Sequence, residues 1–547
     1  MKIRNKDDDG APHGELTRSL FRFYGAALSN PGAATDAISQ IAREIGKSLS
    51  GKSGVQPEKG DRRFQDSAWE SNPFYRTAMQ GHLAMRAGIE GWINALDLSP
   101  KDEGRASTAT SSILDAVAPT NTLLGNPAAL KRTIETGGEN LVTGARQMLE
   151  DLQENGGMPS MVDKSKFTVG KNLALTPGNV VRRDPEYELI QYAAQTEKVH
   201  GTPILVVPPQ INKYYVWDLA PKRSIIEFLV SSGFQVFIVS WFNPDAKQAE
   251  WGLDGYVAAL ERAVDTVSAI SGSEQVHLAA ACSGGITTAA LLGAYAADSV
   301  DRVRSLTLMV TILDTDEIAD TSMGLFANLD TLELAKAASG SQGVLEGRDL
   351  AKVFAWLRPN ELIWSYWVNN YLMGESPPAF DLLYWNTDVT RMTSGLHGDF
   401  VGILESNGLA RPGTVEIGGR SIDLSRVTCD AFVLGGETDH ITPWEGCYRT
   451  TGLLGGKTDF VLTNSGHVQS IVSPPGNKKT AFYTGATGDS PETFKESAKQ
   501  NEGSWWPYWV KWLEKRSGKK TEAPKQPGSK EYPPLDEAPG TYVRIEA

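Results

Sequence analysis

Three reactive side chains of different kinds stand in an order that suits covalent acyl transfer: Cys282, Asp439 and His467. Cys282 lies in the run AACSGG (280–285), between an apolar strand-like segment and an apolar helix-like one. A nucleophile on a sharp strand-to-helix turn needs small neighbours, because the turn brings backbone segments close together. Such a turn lifts the side chain above the sheet and sets a helix N-terminus beneath it, where the dipole favours an anion. A thiolate is a strong nucleophile near neutral pH once a histidine takes its proton. Taken alone, the run equally suits a free cysteine packed into the core. Asp439 follows the apolar segment DAFVLGG, in GGETDHITPW, and His467 follows TDFVLTN, in TNSGHVQS. Packing does not by itself explain a nucleophile, an acid and a histidine in sequence, each at the end of a strand-like run.

The elements that must position them are legible from about residue 180 onward. Short apolar runs rich in β-branched residues at 203–209, 235–241, 275–281, 304–311, 430–436 and 458–464 read as strands. Helical stretches at 221–232, 253–270 and 284–297 alternate with them. Strands apolar on both faces, alternating with helices, predict a mostly parallel sheet covered by helices. With the strand–turn–nucleophile–helix unit, the reading is an α/β-hydrolase fold over residues 181–547. Its triad order is nucleophile, acid, histidine, at the C-terminal ends of the strands. Segment 278–297 has no charge and the length of a membrane span, but its CSGGITT centre reads as strand, turn and buried helix. The alternation breaks at about 316–426, an insertion rich in Trp, Tyr, Phe and Leu that is expected to be a mobile cap over the site. Residues 1–180 read as a mainly helical domain, with helices expected at 34–49, 75–96 and 128–155 and a loop at 51–66. The Pro- and Lys-rich tail after 518 is expected to be extended or disordered.

Bulk composition excludes several classes. The chain has 547 residues, 53 Lys and Arg against 66 Asp and Glu, and a net charge of −13. That balance disfavours nucleic-acid binding, which needs clustered cations. The three cysteines, Cys282, Cys429 and Cys447, form no CxxC pair, so neither zinc nor a disulfide framework is indicated, and the count suits a reducing cytoplasm. Residues 1–10 are polar and carry no secretory pattern.

Several segments together carry a family resemblance: NPFYRTAMQGHLA, TPGNVVRRDPEYELIQY, VPPQINKYYVWDL, FIVSWFNPD, ACSGGITTAALLG, YWNTDVTRM, GGETDHITPW, SGHVQSIVSPPGNKK and GSWWPYWVKWL. They span about 72–518, and the chain resembles the polyhydroxyalkanoate synthases. It is most similar to the single-subunit type and, in its ACSGG turn, to the medium-chain-length class. Ala280 stands where the family pattern has Gly, which bears on chain-length specificity. The resemblance implies an acyltransferase that polymerises (R)-3-hydroxyacyl-CoA into polyester with release of CoA, without a separate cofactor. It implies that Cys282 accepts the acyl group and that His467 deprotonates it. Asp439 would either orient His467 or help activate the incoming 3-hydroxyl. The oxyanion hole is expected from the backbone N–H of Ser283 and that of Ile211, although Pro208-Pro209 could equally form a plain rigid turn. Expected partners are the growing polyester chain, a second copy of the chain in a homodimer and other granule-associated proteins. The expected location is the surface of cytoplasmic polyester granules.

Other residues take plainer readings. His440 is expected to give a supporting hydrogen bond, and His277 to be a satisfied core histidine. Cys429 and Cys447 are expected to pack, as are Trp385, Trp505, Trp506, Trp509 and Trp512. Lys478-Lys479 is either a solvated pair or a contact for CoA phosphates. Two rival functions remain open at this level: a thioesterase or polyester hydrolase on the same fold, and a non-catalytic granule-coat protein.

Overall fold

A computed structural model of the chain describes residues 1–3, 15–316, 329–488 and 490–547. Residues 4–10 of the polar N-terminal segment and 317–328 of the insertion lie outside the described residues. Ten strands form the central sheet: β1 (Gly178–Arg183), β2 (Tyr187–Tyr192), β3 (Ile204–Val207), β4 (Val236–Trp241), β5 (Val276–Ala281), β6 (Val303–Met309), β7 (Asp430–Gly436), β8 (Thr458–Thr463), β9 (Ala481–Gly485) and β10 (Lys499–Glu502). Their order across the sheet is β10-β9-β8-β7-β6-β5-β3-β4-β2-β1. The six strands from β8 to β4 are mutually parallel, and two antiparallel strands extend the sheet at each side. The six expected strands are these six. The four outer strands were not anticipated, because GNVVRR, YELIQY, AFYTG and KQNE are broken by polar residues or glycine and lack the continuous apolar run of the central strands.

Alternate residues divide the core into two layers. Leu205, Phe237, Leu278, Leu306 and Val433 pack beneath helices Leu253–Ser271 and Cys282–Asp298. Their neighbours Ile204, Ile238, Ala279 and Phe432 pack on the opposite face, against helices Ile225–Ser231 and Trp506–Glu514. Period-two burial on both faces is what a parallel sheet requires. The uncharged run at 278–297 is strand, turn and helix, as expected, and among the described residues no helix is long and apolar enough to cross a membrane.

The N-terminal region is helical: Glu15–Ser29, Pro31–Leu49, Pro73–Asn94, Pro100–Ala116, Pro127–Glu135 and Glu139–Glu154. The single helix expected at 128–155 is two, broken where Gly137 and Gly138 adopt φ of +61° and +91°, a conformation open to glycine and costly in a helix interior. This region grips the insertion. Tyr371 donates its hydroxyl to Asp151 at 2.7 Å, Asn140 Nδ2 donates to the Leu372 carbonyl at 2.7 Å, and Asn370 Nδ2 donates to the Ser160 carbonyl at 2.8 Å. The gripped stretch is π-helical, over Asn360–Trp364 and Trp367–Leu372. Wide turns of this kind interrupt the regular ladder and occur often near functional sites.

The tail after residue 518 takes the extended one of its two expected forms, laid in order along the sheet. Lys520–Glu522 pairs with Lys198–His200, and Leu535, Asp536 and Ala538 exchange backbone hydrogen bonds with Val180 and Gly178 of β1. Despite its low apolar content, the tail is held by backbone pairing and by a charge. Glu188 of β2 is fully buried and accepts from Thr541 N–H at 2.9 Å, Tyr542 N–H at 3.0 Å and Thr541 Oγ1 at 2.7 Å, besides its ion pair with Arg183 at 2.6 Å. Removing residues 519–547 strips those donors and reopens the β1 edge. Loss of hydrogen bonds to a buried charge costs about 1.5–3 kcal/mol each, so a fall of several degrees in the thermal midpoint is expected by calorimetry. An unchanged midpoint would show that the tail merely rests on the surface.

Candidate active site

Cys282 ends β5 and begins helix Cys282–Asp298, with φ of +50°. For a side-chain-bearing residue this left-handed conformation is strained, and it persists only where the surroundings fix it. They do so by close approach: a Cβ on Gly284 would lie 2.5 Å from the carbonyl oxygens of both Val207 and Pro208, and one on Gly285 would collide with Thr311. Ala280, fully buried, sits in register between Val207 of β3 and Leu308 of β6, so the extra methyl is absorbed by the core two residues before the turn.

His467 begins the short helix His467–Ile471 after β8, and Asp439 lies just beyond β7. His467 Nδ1 and Asp439 Oδ2 are 2.7 Å apart. Asp439 Oδ1 accepts from the N–H groups of Ile441 at 2.8 Å and Thr442 at 2.9 Å, and Oδ2 accepts from Thr442 Oγ1 at 2.7 Å. The Asp439 side chain is wholly inaccessible to solvent. Burial would raise its pKa, but the charge and hydrogen bond of His467 and the Thr442 donors hold it below the usual carboxylate value. Burial likewise pulls His467 toward its neutral form. The charge and hydrogen bond of Asp439, with a hydrogen bond and charge from Cys282, outweigh that and raise His467 to about 10. One edge of the imidazole therefore belongs to Asp439, and Cys282 lines the same cavity as the ring. Thr442, which also lies 3.0 Å from His467 Nδ1, is a supporting residue the sequence reading missed. Its place three residues after the acid, on the turn leaving β7, was the available signal.

Cys282 and His467 open into a cavity of about 250 Å³ roofed by the insertion through Leu350, Phe354, Arg358 and Leu362. Pro209 and Ile211 line its opposite side, so PPQIN is part of the site wall and not only a rigid turn. Gln210 N–H donates to Ser283 Oγ at 3.3 Å, which draws the loop that carries Ile211 to the turn that carries Ser283. His440 also lines the cavity. Its Nδ1 is buried without a hydrogen-bond partner, so the supporting hydrogen bond expected of it is not found among the described residues. Burial, followed by the charge of Arg358, holds His440 below the ordinary histidine value.

The plainer readings fare well. His277 is satisfied by Ser305 Oγ at 2.7 Å and Ser517 Oγ at 2.9 Å, and burial lowers it to about 3. Cys447 is buried and Cys429 half-buried, the latter pushed up to about 12 by burial. Trp505 and Trp506 are core residues whose indoles donate to the carbonyls of Ser470 and Ile471, fixing the far end of the His467 helix. Trp385 is buried and donates to the Lys213 carbonyl at 2.7 Å. Lys478 and Lys479 are exposed and do not line the cavity. Among the described residues no group of side chains could hold a metal ion.

Comparison with known proteins gives a consistent result. Residues 60–229 match the family described as poly-beta-hydroxybutyrate polymerase N-terminus, and residues 203–474 match the alpha/beta hydrolase fold. The chain is 49% identical over 543 residues to poly(3-hydroxyalkanoate) polymerase 1 of Ectopseudomonas oleovorans, covering 99% of this chain and 95% of that one. It is 46% identical to polymerase 2 of the same organism, over 97% of this chain and 94% of that one. It is 37% identical to the poly(3-hydroxyalkanoate) polymerase subunit PhaC of Cupriavidus necator, over 91% and 85% respectively. A strained cysteine turn, a buried carboxylate–histidine pair and a roofed cavity are thus carried by a chain that belongs to the poly(3-hydroxyalkanoate) polymerases, enzymes of acyltransferase type on an α/β-hydrolase fold.

Proposed function

We propose that this chain polymerises (R)-3-hydroxyacyl-CoA into polyester through a thioester on Cys282, releasing CoA. The observation that carries the reading is the 2.7 Å pairing of His467 with Asp439 in a roofed cavity that Cys282 also lines. The Cys282 thiolate attacks the thioester carbonyl, CoA leaves as a thiolate, and the proton held on His467 goes to it. The acyl group remains a thioester and keeps its activation. A 3-hydroxyl then gives its proton to neutral His467 and attacks that thioester, forming the ester bond and returning the Cys282 thiolate. The N–H groups of Ser283 and Ile211 receive the developing oxyanion in both steps.

The Asp439 side chain has no accessible surface, and its oxygens already accept from His467 and residues 441–442. That supports an orienting role over direct contact with an incoming hydroxyl. The apolar roof supports transfer to an alcohol over transfer to water. The working form is a homodimer with the cap at its interface, and the insoluble product holds the enzyme on granule surfaces.

Cys282→Ala is expected to abolish both acylation and polymer formation, while Cys429→Ala and Cys447→Ala retain most activity. CoA release and polymer mass, assayed together, check this. CoA without polymer would make the enzyme a hydrolase, and turnover by Cys282→Ala would end the covalent route.

In single-turnover acylation His467→Ala is expected to lose the most, about 10²-fold or more, since general-base assistance is worth roughly 10²–10⁴. Asp439→Asn should slow acylation and elongation together. Normal acylation with failed elongation in Asp439→Asn would instead assign Asp439 to the hydroxyl.

The pair also links stability to pH. His467 is raised from 6.5 to about 10, so its contribution is complete below about 6.5 and is lost as pH rises through about 10. Asp439 is depressed from 3.8, so its contribution is present above that value and is lost as pH falls through the lowered one. The gap in thermal midpoint between the parent protein and His467→Ala should therefore narrow steadily from pH 6.5 to 10. A constant gap would contradict the ion pair.

A further inference from the structure

The loop bearing Ile211 and the cap segment at 384–391 run side by side. Asn212 and Val389 form an antiparallel bridge. Lys213 Nζ pairs with Asp388 at 2.8 Å although the lysine side chain is only 4% exposed, and Tyr215 donates its hydroxyl to the same carboxylate at 2.8 Å. At the end of this seam stands Thr390, itself buried. Its hydroxyl donates to the Gln210 carbonyl at 2.7 Å, and its N–H donates to the Ile211 carbonyl at 3.3 Å. One cap residue thus holds both peptide units that flank Ile211.

The Gln210 carbonyl and the Ile211 N–H belong to the same peptide unit, which is trans. In a planar trans peptide the two groups point in opposite directions, so fixing the carbonyl aims the N–H. A hydrogen bond at the carbonyl also polarises the unit and strengthens its N–H as a donor. The Ile211 N–H donates to no other described backbone group, which leaves it available to a ligand. On the other flank, Gln210 N–H reaches Ser283 Oγ and Gln210 Nε2 reaches Thr287 Oγ1 at 2.9 Å, both on the nucleophile's helix.

We propose that Thr390 is a positioning residue for catalysis: from the cap, its hydroxyl orients the Gln210–Ile211 peptide and so completes the oxyanion hole. This rests on the reading of Cys282 as the acyl acceptor and of Ile211 N–H as an oxyanion donor. It adds that the hole is built jointly by the sheet and the insertion, so that an unseated cap leaves a nucleophile without a competent hole.

Two reactions at the same sulfur separate this role from a merely structural one. Acylation by a 3-hydroxyacyl-CoA passes through an oxyanion. Alkylation by iodoacetamide displaces iodide at a saturated carbon and forms none, so it reads only the thiolate. In the full-length protein, Thr390→Val is expected to slow single-turnover acylation about tenfold or more, within the 10²–10³ attributed to loss of a whole donor. Alkylation of Cys282, followed by peptide mass spectrometry, should stay within about twofold, and Thr390→Ser should restore acylation because it keeps the hydroxyl. Thr390→Ala is carried alongside in case the valine variant does not fold. Unchanged acylation in the valine or alanine variant, or equal slowing of both reactions, would overturn the proposal. A parent protein whose Cys282 alkylates normally but never gains an acyl group would overturn the covalent route, and the positioning role with it.

Discussion

A cysteine at φ +50° is held there by neighbours that leave no room for any other arrangement, and the site depends on that constraint. The turn closes only because Gly284 lets the helix start approach the Val207 and Pro208 carbonyls. That approach brings the end of β3, and the loop after it, beside the end of β5. The same approach sets Ser283 against Gln210. The Cys282 turn, the start of its helix and the loop at 208–211 are thus brought together by one close approach. Only the histidine and its carboxylate are placed independently, by the loops after β8 and β7.

Electrostatics then decide what the assembled groups can do. A buried carboxylate is costly unless its oxygens are satisfied, and Asp439 is satisfied by two N–H groups, a hydroxyl and His467. A carboxylate so held does not roam, and the imidazole it pairs with keeps one ring nitrogen committed. The insertion adds Leu350, Phe354 and Leu362 to the cavity wall, and apolar surroundings of this kind strengthen electrostatic interactions.

The six parallel strands, the turn and the meeting of Asp439 with His467 were readable because each leaves a local mark: an apolar run, a cluster of small residues, a reactive residue just past a strand. The outer strands and the ordered tail left none. Backbone pairing at a sheet edge tolerates polar residues, so β10 reads as KQNE and the tail as a linker. The gap in the expected helix at 128–155 was marked by two adjacent glycines but masked by strong helical periodicity on either side. Thr442 and Thr390 were invisible for a different reason. Each acts by a hydroxyl whose partner is set by tertiary contact, and threonine on a loop carries no periodic signal. The segments VPPQINKYYVWDL and YWNTDVTRM each bore on the family resemblance, yet nothing in either string says that they lie against one another.

The strap over β1 has a consequence for how the chain comes to be folded. The donors that close over Glu188 lie 353 and 354 positions downstream of it. A chain emerging from the ribosome presents β1 and β2 long before residues 535–542 exist. During that interval an unpaired strand edge and a buried-to-be carboxylate are open to other nascent chains, the situation in which edges template misassembly. Slow synthesis or crowded expression should therefore penalise this protein at the sheet edge, far from its chemistry.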